Sequence, residues 1–135
     1  MKHPERVEDD LEHMVEAIDR AVRYVGPLND VGALYQNPQV QDAVAHNIEV
    51  IGEAANHIQR MDPTFVEQHP ELPWVELRGM RNKITHEYFD VDWHILWGTV
   101  RTDLPLLREQ IRTLLIEQRH THDHQQQSDE DRGHS

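Results

Sequence analysis

The chain has 135 residues, no cysteine and a formal net charge of −12. This length fits one domain with its own hydrophobic core, and the lack of cysteine excludes a disulfide framework and a thiolate zinc site. The charge argues against a general nucleic-acid binder, and no run of 18 apolar residues suggests a membrane span. Because the N-terminus is also unlike a signal peptide, we expect a cytoplasmic protein.

The charge is unevenly distributed along the chain. Residues 1–72 carry 14 acidic and 5 basic residues, residues 73–120 carry 7 of each, and residues 121–135 carry 4 acidic and 1 basic residue. An acidic first half would repel RNA locally or offer a surface to a basic protein, although solvated helix faces explain most such charges. The neutral region is therefore the place to look for RNA contacts.

Two long helices are predicted in the first half. The first begins near Pro4 or Glu5 and ends at Gly26-Pro27, and the second begins after Asn37-Pro38, which reads as a cap followed by proline at the first helical position. Apolar residues recur at helical spacing in both: Val7, Leu11, Met14, Ile18, Ala21 and Val25, then Val40, Val44, Ile48, Ile51, Ala55 and Ile58. Gly52 lies inside the second helix, where it either permits close packing or is simply tolerated.

The second half continues the helical pattern. Asp62-Pro63 predicts a short helix to about Gln68, and another helix is predicted from Pro73 or Trp74 to between His86 and Tyr88. Residues 90–92 supply a cap for a last helix, in which Pro105 predicts a kink.

No strand pattern is found, so the predicted fold is an all-α up-and-down bundle of four main helices plus short ones. We assign residues 1–119 to this domain and residues 120–135 to a polar, disordered tail, because that tail has no apolar residue. Alternating histidines at 120, 122 and 124 are more typical of a solvated tail than of a metal site, and no metal site is predicted.

The helix from Trp74 places an arginine on its apolar stripe. At about 100° per residue, Arg81 falls among Trp74, Leu77, Ile84 and Tyr88. An arginine there can lay its stem on the core and send its head to water. His86 points about 140° away from Arg81 on a regular helix, so a shared site requires a break in the helix or a second chain.

The pattern Arg81-Asn82-x-x-x-His86-x-Tyr88 resembles the Arg-x4-His-x-Tyr signature of HepT-like proteins, small all-helical ribonucleases of the HEPN superfamily. The resemblance extends over roughly residues 5–118. The flanking segments that share it are Gly79-Met80, Phe89, Trp93, Trp97 and the upstream block of residues 48–55.

The resemblance implies a metal-independent endoribonuclease with a composite site at a homodimer interface, in which Arg81, Asn82 and His86 are catalytic. Their chemistry suits this role, because histidine exchanges protons near neutral pH, arginine binds phosphate oxygens and asparagine can hydrogen-bond to substrate or to the histidine. Attack by the ribose 2′-OH would leave a 2′,3′-cyclic phosphate. The RNA-binding candidates are the nearby bases Arg78, Lys83 and Arg101.

The resemblance also implies a toxin–antitoxin pair of the HepT/MNT type. Its partner would be an MNT-type nucleotidyltransferase that silences the toxin by attaching AMP from ATP to the tyrosine of the motif, here Tyr88. The ribonuclease itself would need no cofactor, and neither a membrane nor DNA is expected as a partner. The alternative is a non-catalytic HEPN subunit that binds nucleotide or protein and docks a nucleotidyltransferase.

Overall fold

The computed structural model describes the backbone of residues 4–133 and the side chains of residues 7–120. Its four longer helices are α1 (Pro4–Val25), α3 (Pro38–Met61), α5 (Trp74–His86) and α7 (Leu104–Gly133). The shorter helices are α2 (Val31–Tyr35), α4 (Pro63–Gln68) and α6 (Trp93–Gly98). A 3₁₀ turn (Tyr88–Asp90) follows α5, and a π-helical turn (Thr99–Asp103) joins α6 to α7. No strand occurs between residues 4 and 133, and the predicted all-α bundle is confirmed.

The predicted caps start their helices. The side chain of Asn37 accepts a hydrogen bond from the Val40 N–H at 3.2 Å, and that of Asp62 accepts from Phe65 N–H at 3.1 Å. Asp92 does the same for α6 with the N–H groups of His94 and Ile95. These side chains satisfy donors that have no partner within the helix.

The region around Pro105 differs from the predicted single kinked helix. The π-helical turn ends just before Pro105, with the Leu104 N–H bonded to the carbonyl of Thr99. Proline offers no N–H to the carbonyl of Arg101, so the wider turn accommodates the missing hydrogen bond. The predicted last helix is therefore divided into α6, the π turn and α7.

The C-terminal segment also differs from expectation. The backbone of α7 remains helical to Gly133, whereas the composition predicted a disordered tail from His120. Extending an existing helix avoids the cost of nucleation, so a polar sequence can continue one that the core has started. The side chains of the predicted tail after His120, including His122 and His124, lie outside the described residues.

Helix α3 lies at the centre of the bundle, packed against both α1 and α5. Its buried positions accordingly cover a wide face: Val44, Ala45, Asn47, Ile48, Ile51, Gly52, Ala54, Ala55 and Ile58. The polar Asn47 within this face accepts a hydrogen bond from Arg20 at 2.8 Å, which satisfies it. Helix α3 thus forms the platform on which α5, with the Arg-His-Tyr motif, is positioned.

None of the helices that the structure describes combines the length and apolar character needed to cross a membrane.

Candidate functional site on the third long helix

Gly52 sets the separation between α3 and α5. A Cβ atom at this position would lie 2.4 Å from the Arg81 Cβ and 2.9 Å from the carbonyl oxygen of Leu77. Neither atom is the end of a flexible side chain, so any larger residue would have to push the helices apart. Of the two readings left open by the sequence, close packing is the one that the structure supports.

Arg81 lies in this close contact and is paired. Its Nη2 is 2.9 Å from Glu53 Oε2 on α3, and its Nη1 donates to Asn82 Oδ1 at 3.1 Å. The side chain is 29% exposed, so its head reaches solvent although its Cβ lies against Gly52. Because its guanidinium is paired and partly exposed, Arg81 can lie on an apolar stripe without burying an unpaired charge.

The apolar stripe itself is covered within the chain. Trp74, Leu77 and Ile84 are all buried in the core of the single chain. These three residues therefore need no second chain to cover them. The physical reason is that α3 and the neighbouring helices already supply the apolar contacts.

His86 is the last residue of α5, and its side chain is exposed, with no partner among the described residues. The helix runs unbroken from Trp74 to His86. Arg81 and His86 therefore keep the separation of about 140° given by five helical steps, and one chain does not bring them to the same point. Of the two alternatives, a break between these residues is excluded by the structure.

Tyr88 begins the 3₁₀ turn after α5 and is half-buried. Its hydroxyl donates a hydrogen bond to Oδ1 of Asp42 on α3, and its ring packs edge-on against Trp93 at 6.2 Å between centroids. Burial, the hydrogen bond to Asp42 and the charges of Asp42 and Glu49 together raise the pKa of Tyr88 to about 12. The hydroxyl that the resemblance makes the acceptor of AMP is therefore held against α3.

The three RNA-binding candidates lie in different surroundings. Arg78 donates to Gln59 Oε1 at 2.8 Å and lines a shallow polar depression with Asn56, Gln59, Arg60 and Asn82. Lys83 Nζ is 4.0 Å from Oε2 of Glu87, the residue that caps the C-terminus of α5.

Arg101, the third candidate, is on the π turn, with its guanidinium carbon 4.8 Å from the centroid of the Trp97 ring. Of the three, Arg78 shares a surface with the motif residue Asn82.

Three acidic residues of α3 were missed as partners of the motif. Asp42 bonds to Tyr88, Glu49 accepts from Thr85 Oγ1 at 3.1 Å, and Glu53 pairs with Arg81. We call Asp42, Glu49 and Glu53 the acidic row. Their spacing of seven and four places them on one face of α3, which the sequence could have shown. The sequence did not show that this face of α3 packs against α5.

Metal ligands do not cluster among the described side chains: no group of three or more His, Asp or Glu is close enough to hold an ion. The motif itself supplies a guanidinium, an amide, an imidazole and a phenol.

A helical bundle with an Arg-Asn-x-x-x-His-x-Tyr motif at the end of its third long helix is a protein of the HEPN type. The family model described as "Ribonuclease HepT-like" matches residues 14–114. The chain therefore belongs to the HepT-like ribonuclease family.

Curated relatives support this assignment. "Probable ribonuclease HepT" of Thermococcus cleftensis is 37% identical over 106 residues, covering 78% of this chain and 93% of the relative. "Putative RNase TTE0752" of Caldanaerobacter subterraneus subsp. tengcongensis is 31% identical over 105 residues, covering 78% of this chain and 90% of the relative. No solved structure matches the chain.

Proposed function

We propose that this protein is a metal-independent endoribonuclease whose site is shared between two copies of the chain, and that it acts as the toxin of a HepT/MNT-type pair. The observation that carries the proposal is the geometry of α5. Arg81 and His86 have the right chemistry, yet one unbroken helix points them about 140° apart. A second chain related by a two-fold axis can place its His86 beside the Arg81 of the first.

In this proposal Arg81 binds the scissile phosphate. Arginine has five N–H donors, and the contacts to Glu53 and Asn82 occupy Nη2 and Nη1 while leaving further donors for phosphate oxygens. Gly52 lies against the stem of Arg81 and Glu53 holds its guanidinium group, which reduces the entropy lost when RNA binds. Asn82, exposed next to it, contacts the substrate through its amide.

His86 transfers the protons. As the ribose 2′ oxygen forms its bond to phosphorus, the bond from phosphorus to the 5′ oxygen breaks, leaving a 2′,3′-cyclic phosphate and a 5′-hydroxyl. A histidine takes the proton from the 2′-OH or gives one to the departing 5′ oxygen. An exposed imidazole with no hydrogen-bond partner among the described residues is accessible to the substrate for either transfer.

The second copy has an exposed apolar surface available to it near His86. Phe89 is fully exposed, and Ile95 on α6 is 62% exposed. Ile95 lies in an apolar groove with Met80, Ile84, Val91 and Leu96 that opens beside the end of α5. Burying this surface would bring two α5 ends together, which is the arrangement that a composite site requires.

Tyr88 is the proposed site of silencing by an MNT-type nucleotidyltransferase that uses ATP. It follows Arg81 by seven positions, and both side chains lie against the acidic row of α3. An adenylyl group on Tyr88 would add bulk and negative charge beside the same face of α3, which opposes the binding of an RNA phosphate.

A second candidate is a non-catalytic subunit that docks a nucleotidyltransferase. The pairing of Arg81 with Glu53 favours it, because a neutralised arginine attracts phosphate less strongly. This candidate predicts that RNA is not cleaved and that Arg81→Ala leaves partner binding intact.

Mixing two inactive variants tests the shared site. Arg81→Ala and His86→Ala should each lose RNA cleavage, but a mixture allowed to exchange subunits should regain about a quarter of wild-type activity, since half of the dimers are mixed and each contains one intact site. No recovery after verified exchange would show that the site is not shared in this way.

The chemistry is tested in the same assay. Cleavage by the wild type should persist in EDTA and yield a 2′,3′-cyclic phosphate end, which mass spectrometry of a short RNA identifies. Activity that disappears in chelator and returns with a divalent cation would contradict the proposal. Arg112→Ala, an exposed arginine on α7, and His13→Ala, an exposed histidine on α1, are the matched controls and should cleave normally.

A further inference from the structure

The hydroxyl of Tyr88 already has a proton acceptor. It donates to a carboxylate oxygen of Asp42, which lies on α3, 46 residues earlier in the chain. Asp42 is exposed, so its carboxylate is accessible from solvent. Among the described residues, neither of the other two tyrosines meets a carboxylate: the Tyr35 hydroxyl is 2.8 Å from a ring nitrogen of His94, and Tyr24 lies beside Arg23.

A phenol must lose its proton to attack phosphorus efficiently. The raised pKa of Tyr88, about 12, means that hardly any phenolate exists at neutral pH. The proton must therefore leave during the attack, and a base within hydrogen-bond reach of it makes this possible. Asp42 is the group in that position, while Glu49 is occupied with the hydroxyl of Thr85.

We propose that Asp42 is the general base that activates Tyr88 for nucleotidylation, so that this chain supplies part of the machinery for its own silencing. The inference rests on the proposed function, in which ATP is the donor. A bond forms between Tyr88 Oη and the α-phosphorus, and the bond from that phosphorus to the oxygen bridging to the β-phosphate breaks. Pyrophosphate leaves, and the phenolic proton passes to the Asp42 carboxylate.

Modification would also change the contact between Tyr88 and Asp42. A modified Tyr88 has no hydroxyl proton to donate, so the Asp42 carboxylate then faces a phosphodiester anion. The two negative charges repel each other, so the hydrogen bond between Tyr88 and Asp42 is lost. The donor nucleotide must arrive with its charge neutralised, as a magnesium complex or within a basic partner site, because Asp42 and Glu49 repel free anions.

The first experiment needs no partner enzyme. The full chain is treated with adenosine 5′-phosphorimidazolide and Mg²⁺, and labelling of each tyrosine is followed by peptide mass spectrometry. We expect Tyr88 to react faster than Tyr24, which has no described proton acceptor and serves as the internal control. Asp42→Asn should slow labelling of Tyr88 by about 10²-fold, Asp42→Glu should restore part of the rate, and Glu49→Gln should change it by no more than a few-fold.

The second experiment uses ATP and a cognate MNT-type nucleotidyltransferase, with thermal unfolding of each variant as the measure of folding. Wild type modified at Tyr88 and Asp42→Asn modified at the same rate would overturn the role of Asp42. Wild type left unmodified by the partner would instead overturn the proposed silencing. If Tyr88 of the wild type is labelled no faster than Tyr24 in the imidazolide assay, the role of Asp42 is overturned whatever the partner does.

Discussion

The middle and the end of α5 present the motif in opposite ways. In the middle, Arg81 lies against Gly52 and is paired with Glu53 and Asn82. At the end, His86 is exposed without a described partner, and Phe89 beyond it is fully exposed. Both regions belong to one short motif, so spacing in sequence says little about how firmly each residue is held. The packed middle suits a fixed phosphate-binding group, and the open end suits proton transfer and contact with a second chain.

The largest expected effect is a loss of RNA cleavage when either region is changed. Only the free energy of unfolding should distinguish the two regions. Arg81→Ala and His86→Ala should each lower RNA cleavage by about 10² to 10⁴-fold. Arg81→Ala should also lower the free energy of unfolding by about 1 kcal/mol, because it removes a partly exposed ion pair and a packed stem. His86→Ala should leave the free energy of unfolding unchanged. Thermal unfolding and a cleavage assay on the same samples check this, and an equal loss of stability in both variants would contradict the contrast.

The next effect concerns the close contact between α3 and α5. Gly52→Ala should destabilise the protein by about 1 to 3 kcal/mol, since the added methyl meets the Arg81 Cβ and a backbone oxygen. Gly79→Ala on the exposed face of α5 meets nothing within 4 Å and should be neutral or stabilise by up to about 1 kcal/mol. Urea unfolding of both variants compares them, and equal stabilities would show that the contact is looser than the structure indicates.

A substitution at Phe89 tests the contact proposed between two copies near the end of α5. If this ring is buried between two copies, Phe89→Asp should weaken self-association by about 10-fold or more. Val75→Asp changes another exposed apolar side chain at the opposite end of α5 and should leave association unaffected. Sedimentation over a concentration series measures both. Wild type that remains a monomer at micromolar concentrations would rule out the proposed pair.

The smallest effect is the alkaline titration of Tyr88. Its pKa is raised from 10.0 to about 12, first by burial and then by Asp42 and Glu49. A raised pKa means that the folded state holds the proton more tightly. The stability that this provides is fully present below pH 10 and is lost as the pH rises towards 12. The difference in unfolding free energy between wild type and Tyr88→Phe should follow this course, and ultraviolet titration of Asp42→Asn should show a lower pKa for Tyr88.

Much of the fold could be read from the sequence because its signals are local. Asn37-Pro38, Asp62-Pro63 and Asp92 start helices through hydrogen bonds that reach only two or three residues ahead. Apolar residues at helical spacing marked the buried faces of α1 and α3. The π turn before Pro105 and the extension of α7 to Gly133 were missed, because both depend on how a helix continues from its neighbours.

The sequence by itself determined the helices, the all-α class and the Arg-Asn-His-Tyr motif that marks the family. The tertiary structure decided which of these residues are held and by what. Glu53 is 28 positions from Arg81 and Asp42 is 46 positions from Tyr88, yet α3 and α5 pack side by side and bring each pair into contact. Helical periodicity fixes the direction of a side chain about its own helix axis, whereas the partner that it meets depends on which faces two helices bury together.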